Sequence, residues 1–146
     1  PEVETERGAT VRVIAGEHAG ATGPVQDVFV KPLYLDITLP AGAALSQAVP
    51  AGHTGFVYVF GGEGVTVTEG EPAANGGEGF PVRYRNLGVL GDGDTIGLRN
   101  DSGADVRLLL VAGAPIGEPI ARYGPFVMNT EQEIYQAFKD FQEGNF

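Results

Sequence analysis

Residues 113–130 read GAPIGEPIARYGPFVMNT, and residues 131–146 continue as EQEIYQAFKDFQEGNF. The first segment contains three prolines. Proline lacks a backbone donor and clashes with the preceding turn inside a helix, so this segment is predicted to be extended up to Thr130. The second segment has no proline and no glycine before Gly144. It is therefore predicted to form a helix.

A capping box marks the start of this predicted helix. Thr130 and Glu133 have the spacing at which each side chain hydrogen-bonds a free backbone N–H of the first turn. Apolar residues then recur at positions i, i+3, i+4 and i+7, which places them on one helix face. They are Ile134, Ala137, Phe138 and Phe141. We expect this apolar stripe to dock on the barrel.

The chain before residue 113 shows the period-2 alternation of strands. Residues 33–39, LYLDITL, alternate apolar and polar side chains and predict a half-buried strand. Residues 56–60, FVYVF, predict a strand buried on both faces, and GGEG at 61–64 predicts a hairpin turn. Further strands are predicted at 11–15, 65–68, 81–85, 87–90, 95–99 and 106–112, with a Gly- and Glu-rich loop over 69–79. Many short strands with regular turns indicate an all-β sandwich or barrel.

Composition narrows the class of protein further. The chain has 23 glycines among 146 residues, which suits short strands and turns, and it has no cysteine. Without cysteine there are no disulfides, no thiolate catalysis and no cysteine-ligated metal centre. This fits a reducing compartment, and we predict a cytoplasmic location. No apolar run approaches the roughly 20 residues of a membrane span, so no membrane association is expected.

Acidic residues dominate the charge. The formal net charge is −10, and no Lys or Arg occurs between Lys31 and Arg83. Such a surface repels phosphate backbones, so direct nucleic-acid binding is not expected. The glutamates in and near the glycine-rich loop are interpreted as a solvated acidic fringe rather than as paired catalytic carboxylates. They are Glu63, Glu69, Glu71 and Glu78.

Four segments, in this order along the chain, resemble the second domain of the pirin family. They are residues 11–17 (VRVIAGE), 32–36 (PLYLD), 50–61 (PAGHTGFVYVFG) and 113–130, which ends in GPFVMNT. The single motifs are short, but their order and the GPFVMNT run together make a specific signal. The resemblance covers nearly everything from about residue 8 onward.

Pirins have two cupin domains, so the resemblance implies that the chain is the second half of a longer protein. Residues 1–7 are then a remnant of the interdomain linker, and residues 8–146 are a pirin-like C-terminal cupin domain. The implied fold is an all-β cupin barrel, a double-stranded β-helix or jelly roll, with a C-terminal α-helix. The implied partner is the N-terminal cupin domain of the same protein.

The metal-binding motif of cupins has the form G-x5-H-x-H-x3-4-E-x6-G, followed by a later histidine. Alternate residues of one strand point into the barrel, so these ligands converge on one ion. His53 stands at the first histidine position, but Gly55 stands at the second and no histidine follows. The glutamate position falls within 58–60, YVF, and His18 lies outside the motif in a Gly/Ala-rich turn. We therefore predict no metal ligand set, no cofactor and no catalytic residue in this chain; the resemblance implies iron in the N-terminal cupin domain.

His53 is nevertheless a candidate ligand-binding residue. It stands at the predicted mouth of the barrel near Phe56 and Tyr58, and these three residues form a candidate pocket for a small ligand. The alternative is that His53, which follows Pro50-Ala-Gly in a turn, only hydrogen-bonds the local backbone.

The proline-rich segment provides a second candidate surface. One interpretation is an interdomain or partner-binding surface, and the other is a structural strap that crosses the barrel, with Phe126 and Met128 as its packing anchors. Its candidate residues are Glu118, Arg122, Tyr123, Phe126 and Met128.

The predicted function is that of a metal-free structural or binding module that supports the iron-binding N-terminal cupin. Two alternatives stay open: a cupin dioxygenase activity like that of quercetin 2,3-dioxygenases, which the resemblance attaches to the intact protein, and a stand-alone small-ligand-binding barrel. An isolated half would expose its interdomain face, so a homodimer is also expected. Another protein partner is possible on the same grounds.

Overall fold

The computed structural model describes residues 1–6, 8–26, 28–72 and 78–145. Arg7 of the predicted linker, residues 73–77 of the predicted loop and the terminal Phe146 lie outside the described residues. The described elements are β1 (Glu2–Glu4), β2 (Thr10–Ala15), β3 (Glu17–His18), β4 (Ala21–Thr22), β5 (Leu33–Leu39), β6 (Ala44–Ala48), β7 (Thr54–Gly61), β8 (Gly64–Glu69), β9 (Phe80–Arg83), β10 (Leu87–Val89), β11 (Thr95–Arg99), β12 (Val106–Gly113), β13 (Ala121–Tyr123), β14 (Phe126–Met128) and α1 (Glu131–Glu143).

The chain divides into two compact units, Pro1–Pro115 and Ile116–Phe146. The first unit contains a six-stranded sheet with the order β1-β2-β5-β12-β7-β10 and a four-stranded sheet with the order β6-β11-β8-β9. Neighbouring strands in both sheets are antiparallel. Side chains from both sheets form one buried cluster. The predicted all-β architecture is confirmed.

Strict alternation along the strands builds this core. In β5, the four residues at odd positions from Leu33 to Leu39 are buried, and the residues between them are only half-buried. In β7, Val57 and Val59 are completely buried, whereas Phe56, Tyr58 and Phe60 on the opposite face are half-buried. The expectation that residues 56–60 are buried on both faces is therefore wrong, because aromatic side chains occupy the outer face of this sheet.

The second unit is a hairpin packed on a helix. Strands β13 and β14 pair in an antiparallel hairpin, which replaces the simple extended strap expected from the prolines. Ile134 and Ala137 from the apolar stripe are buried with Phe126 of β14. The ring of Phe138 packs edge-on against Phe126, with the ring centroids 4.9 Å apart. The stripe thus has a packing partner within its own unit.

The ends of α1 follow the sequence signals closely. The Thr130 side chain accepts a hydrogen bond from the Glu133 backbone N–H at 3.2 Å, and the Glu133 carboxylate accepts one from the Thr130 N–H at 2.8 Å. Gly144 ends the helix with a φ of 75°, a left-handed conformation that glycine adopts without strain. Among the described residues, no helix has the length and apolarity of a membrane span.

Three residues of the predicted linker form a strand. Glu2–Glu4 pairs with β2 at the edge of the six-stranded sheet, and Val3 packs against the core. Arg12 lies 3.1 Å from the Glu2 carboxylate across the two strands. Val3 stands between two glutamates, as in a strand with one covered face. A pattern of three residues is too short to distinguish such a strand from a linker by sequence.

Candidate functional site

The first unit contains a cavity of about 700 Å³. Residues of β7, β8, β9 and β11 and of the turns that precede β7 and β11 line it. Its apolar wall includes Val49, Val67, Phe80, Leu90 and Ile96. This volume lies within the range of roughly 300–1,000 Å³ that is typical of small-molecule sites.

His53 lines this cavity, as its position before β7 predicts. The Pro50–His53 turn holds the residue in place: Gly52 has a φ of 79°, and the His53 backbone N–H donates to the Pro50 carbonyl at 3.1 Å. His53 therefore makes the hydrogen bond to the local backbone and also lines the cavity. The ring Nδ1 is buried and has no hydrogen-bond partner in the protein.

Gly55 sits where a metal-binding cupin has its second histidine, and the structure explains why no side chain fits there. A Cβ at Gly55 would lie 2.9 Å from the Ala112 Cβ and 3.0 Å from the Val111 carbonyl oxygen. Both distances are closer than ordinary van der Waals contact. An imidazole at this position would force strands β7 and β12 apart.

The donor set at the cavity does not fit the metal centre of a cupin. His53 supplies one imidazole, Gly55 supplies none, and residues 58–60 carry no carboxylate. In the ranges that the structure describes, no group of three or more His, Cys, Asp or Glu side chains is arranged to hold a metal ion. A single imidazole is too weak a site to retain a first-row transition metal.

The structure separates the three residues of the predicted pocket. His53 lines the cavity, whereas Phe56 and Tyr58 are not among the described residues that line it. They alternate along β7 with the core residues Val57 and Val59, so they belong to the outer face of the sheet. The structure therefore does not bring Phe56 and Tyr58 together with His53, because successive side chains along β7 point to opposite faces and the core side is taken by Val57 and Val59.

Three exposed carboxylates border the same cavity. Glu69 ends β8, Glu78 precedes β9, and Asp92 lies in the turn before β11. Thr68 also lines the cavity; it is 7% exposed, and its hydroxyl has no hydrogen-bond partner in the protein. Sequence patterns could not reveal this grouping, because the turns that carry these residues meet only in the folded sandwich.

His18 belongs to a different place in the first unit. It is buried beside a second cavity of about 570 Å³, and its Nδ1 lies 2.6 Å from the Gln47 Oε1. The Gln47 amide nitrogen donates to the carbonyl oxygens of Glu17 and Ala48, so Oε1 is the acceptor and His18 Nδ1 is the donor. The bond joins the β3–β4 hairpin to β6. The Gly/Ala-rich sequence around His18 gave no sign of this structural role.

The residues of the predicted strap lie in the second unit. Phe126 is buried and Met128 is half-buried, and both belong to the apolar cluster of the second unit. Arg122 and Tyr123 are exposed on β13. Glu118 precedes this strand, and its carboxylate accepts a hydrogen bond from the Asn129 side chain at 2.6 Å.

Comparison with known families identifies one domain over most of the chain. The Pirin C-terminal cupin domain matches residues 34–146. The KOW motif matches residues 7–36. This match covers less than half of the chain and therefore assigns no family.

Similar proteins and structures agree with this match. A putative quercetin 2,3-dioxygenase from Pseudomonas aeruginosa is 38% identical over 99% of this chain and 48% of its own length. Mouse pirin is 39% identical over 94% of this chain and 45% of its own length. The crystal structure of a quercetin 2,3-dioxygenase from Acinetobacter baumannii superposes with a TM-score of 0.79 at 34% identity, covering 100% of this chain and 47% of that one. The chain thus spans about half the length of these relatives, and it belongs to the pirin family as a C-terminal cupin domain with an all-β cupin fold.

Proposed function

We propose that this cupin domain is a metal-free supporting half, which packs on an iron-binding N-terminal cupin of a longer pirin-like protein and contributes no metal ligand of its own. The observation that carries the proposal is the crowding at Gly55. A side chain there would have to displace β12, and the cavity keeps one imidazole where a metal-binding cupin needs several ligands.

The outer face of the six-stranded sheet supports the packing role. In the strand register, Tyr34, Val111, Phe56 and Val89 form one row across β5, β12, β7 and β10. A second row beside it begins at Asp36 and continues through Leu109, Tyr58 and Leu87. We call these seven apolar and aromatic residues the outer apolar face.

The outer apolar face remains accessible at its β10 edge. Leu87 is 53% exposed and Val89 is 68% exposed. Adjacent exposed apolar side chains on a sheet face are characteristic of an interaction surface. The relatives are about twice as long as this chain, so the remaining half of such a protein is the occupant that we assign to this face.

A reconstitution experiment tests this assignment. The chain is mixed with a separately produced N-terminal cupin half of the longer protein, and analytical ultracentrifugation measures the complex while elemental analysis follows iron in that half. We expect a one-to-one complex at micromolar concentration that Val89→Glu abolishes. Val127→Glu is the matched control, because Val127 is 58% exposed but lies on the hairpin of the second unit. A complex disrupted by Val127→Glu and not by Val89→Glu would place the interface elsewhere.

When the other half is absent, we expect a second copy of the chain to cover the outer apolar face. A two-fold dimer buries the same patch on both copies, and physiological salt screens the −10 charge beyond about 8 Å. Light scattering should therefore give a dimer mass for the isolated chain and a monomer mass for Val89→Glu. A monomer at high protein concentration would contradict a self-complementary face.

A dioxygenase activity on flavonols is the second candidate function, and it is proposed for the longer protein alone. The quercetin 2,3-dioxygenases among the similar proteins support it. The isolated chain should show no quercetin turnover, whereas the two-cupin protein should show it in an oxygen-uptake assay. A cytoplasmic location is also proposed, on the ground of the cysteine-free sequence.

A further inference from the structure

The second cavity of the first unit shares almost none of its wall with the cavity beside His53. Its wall comes from the β3–β4 hairpin, the segment before β5, and β6 with the turn that follows it, and its volume is about 570 Å³. Of the described residues, only Val49 lines both cavities. A cavity of this volume accommodates a small organic molecule.

Gln47 fixes the orientation of the buried His18 at this cavity. The Gln47 amide nitrogen donates to the carbonyl oxygens of Glu17 at 3.2 Å and Ala48 at 2.6 Å, so its Oε1 is the atom that accepts. The His18 Nδ1 lies 2.6 Å from this oxygen and therefore carries a proton. In the neutral imidazole the other ring nitrogen, Nε2, then holds a lone pair and can only accept a hydrogen bond.

The Nε2 atom of His18 lacks the donor that it requires. The residue is 7% exposed and lines the cavity, and its Nε2 is buried without a hydrogen-bond partner in the part of the chain that the structure describes. A buried acceptor without a donor forfeits the hydrogen bonds that water supplies in the unfolded chain. Neighbouring groups cover Nε2, so a ligand donor has to displace part of this cover to reach it.

The rest of the wall favours a ligand without net charge. The two charged residues of the described lining, Glu17 and Lys31, are exposed and opposite in sign. Their fields offset one another, so neither a cation nor an anion gains a net attraction from this pair. The remaining wall is largely apolar, through Ala19, Pro32, Leu33, Ala48, Val49 and Pro50.

We infer that this cavity binds a small neutral alcohol with an aliphatic body. The hydroxyl group donates to the Nε2 of His18, and the hydrocarbon packs against Leu33, Val49 and Pro50. A hydroxyl group provides the missing donor without adding a charge. The site goes beyond the proposed supporting role, because none of its described lining residues belongs to the outer apolar face.

Two probes with the same ring and different hydrogen bonding test the ligand class. Cyclohexanol donates and accepts, whereas cyclohexanone only accepts. Nuclear magnetic resonance titrations of the labelled chain measure both affinities. We expect cyclohexanol to bind about 2–10-fold more tightly, which is the range that one hydrogen bond between neutral groups provides. The chain has two histidines, and we expect cyclohexanol to shift the Nε2 signal of His18 and leave that of His53 in place.

Two variants locate the binding site. His18→Phe keeps an aromatic ring but removes the acceptor, so it should bind both probes with equal affinity, and its amide spectrum shows whether the fold is retained. Ala48→Leu places a larger side chain at an exposed position of the wall and should weaken both probes several-fold. Ala104→Leu is the matched control, since Ala104 is also exposed and lies outside the described lining of both cavities.

Three outcomes would overturn the inference. One is equal affinity of the unaltered chain for cyclohexanol and cyclohexanone, because the Nε2 acceptor would then contribute nothing. The second is an equal loss of affinity in Ala48→Leu and Ala104→Leu, which would place the binding outside this cavity. The third is no saturable binding of cyclohexanol at millimolar concentration.

Discussion

At the residue scale, the most completely satisfied buried polar group is Asn100. Its side-chain nitrogen donates to the carbonyl oxygens of Leu39 and Ala104, each at 2.8 Å, and its side-chain oxygen accepts from the Ser102 N–H and hydroxyl. The residue is fully buried. These bonds fix the turn between β11 and β12 and tie it to the end of β5. The sequence identifies this turn, but the burial of its asparagine is visible only in the fold.

Replacing Asn100 should therefore destabilise the first unit strongly. Asn100→Ala leaves the Leu39 carbonyl oxygen without its buried side-chain donor and the Ser102 N–H without its acceptor, and we expect a loss of about 1–3 kcal/mol in the free energy of unfolding. Denaturant titration measures this loss. Asn145→Ala, at an exposed position, should stay within about 0.5 kcal/mol. If both variants had the same stability, the buried network would be energetically unimportant.

Gly55 is the residue on which the proposed supporting role depends most. Gly55→Ala inserts a methyl group between β7 and β12, and we expect a loss of about 1–3 kcal/mol from overpacking. Gly103→Ala is the matched control, since a Cβ there meets no atom within 4 Å. Thermal melts of both variants report the difference. A Gly55→Ala chain as stable as Gly103→Ala would show that the strands separate easily enough to admit a ligand side chain.

At the element scale, the capping box decides where α1 begins. Thr130→Ala removes the acceptor for the Glu133 N–H, and we expect a loss of about 1 kcal/mol in the stability of the second unit. Circular dichroism at the helical minimum during denaturant titration measures it. Thr130→Ser keeps the hydroxyl and should lose much less. Equal losses for alanine and serine would mean that the cap contributes little.

The same capping box makes the helix sensitive to acid. Hydrogen bonds from the Thr130 side chain and backbone lower the pKa of Glu133 below its ordinary value. A carboxyl group with a lowered pKa in the folded state stabilises the fold above its unfolded pKa, and this contribution is lost as the pH falls through the folded pKa. Helix stability should therefore decrease as the pH falls below about 4.5.

Glu133→Gln isolates this effect from the other carboxylates. Glutamine can accept the same bonds but does not titrate, so the part of the acid sensitivity that comes from the cap should disappear. Glu131→Gln serves as the control, because Glu131 is outside the capping box. An unchanged pH profile in Glu133→Gln would contradict the assignment.

Sequence periodicity predicted the elements whose signal lies within a few residues. Residues 33–39 and 95–99 match β5 and β11, and the Thr130–Glu133 pair predicts the start of α1. It missed β1, the short β3–β4 pair, β6 and the β13–β14 hairpin. The hairpin was missed because Pro125, which lies in its turn, suggested an extended segment without strand pairing. Short edge strands depend on pairing with distant residues, which local patterns do not record.

The candidate site was only partly predictable. The cupin spacing predicted that His53 stands at the cavity and that Gly55 breaks the metal motif. It did not predict that Phe56 and Tyr58 lie outside the cavity. Period-2 alternation along β7 requires this position once Val57 is assigned to the core. The approach of Glu69, Glu78 and Asp92 depends on sheet topology, and no spacing in the sequence encodes it.

At the scale of the whole molecule, the proposed supporting role rests on two features. The outer apolar face remains accessible at β10, and the cavity lacks the ligands that a cupin metal centre requires. Both features come from the same strand, because β7 directs Gly55 toward the cavity and Phe56 and Tyr58 toward the outer face. The same strand thus carries part of the face that we propose for the partner and the glycine that interrupts the metal-binding motif.

Metal binding by the chain itself tests the central claim most directly. Tag-free protein is equilibrated with Fe(II) or Ni(II) without oxygen, desalted, and examined by elemental analysis together with His53→Ala. The account predicts metal well below one ion per chain, at the same level in the variant, because a single imidazole cannot retain the ion. One ion per chain that disappears in His53→Ala would contradict it.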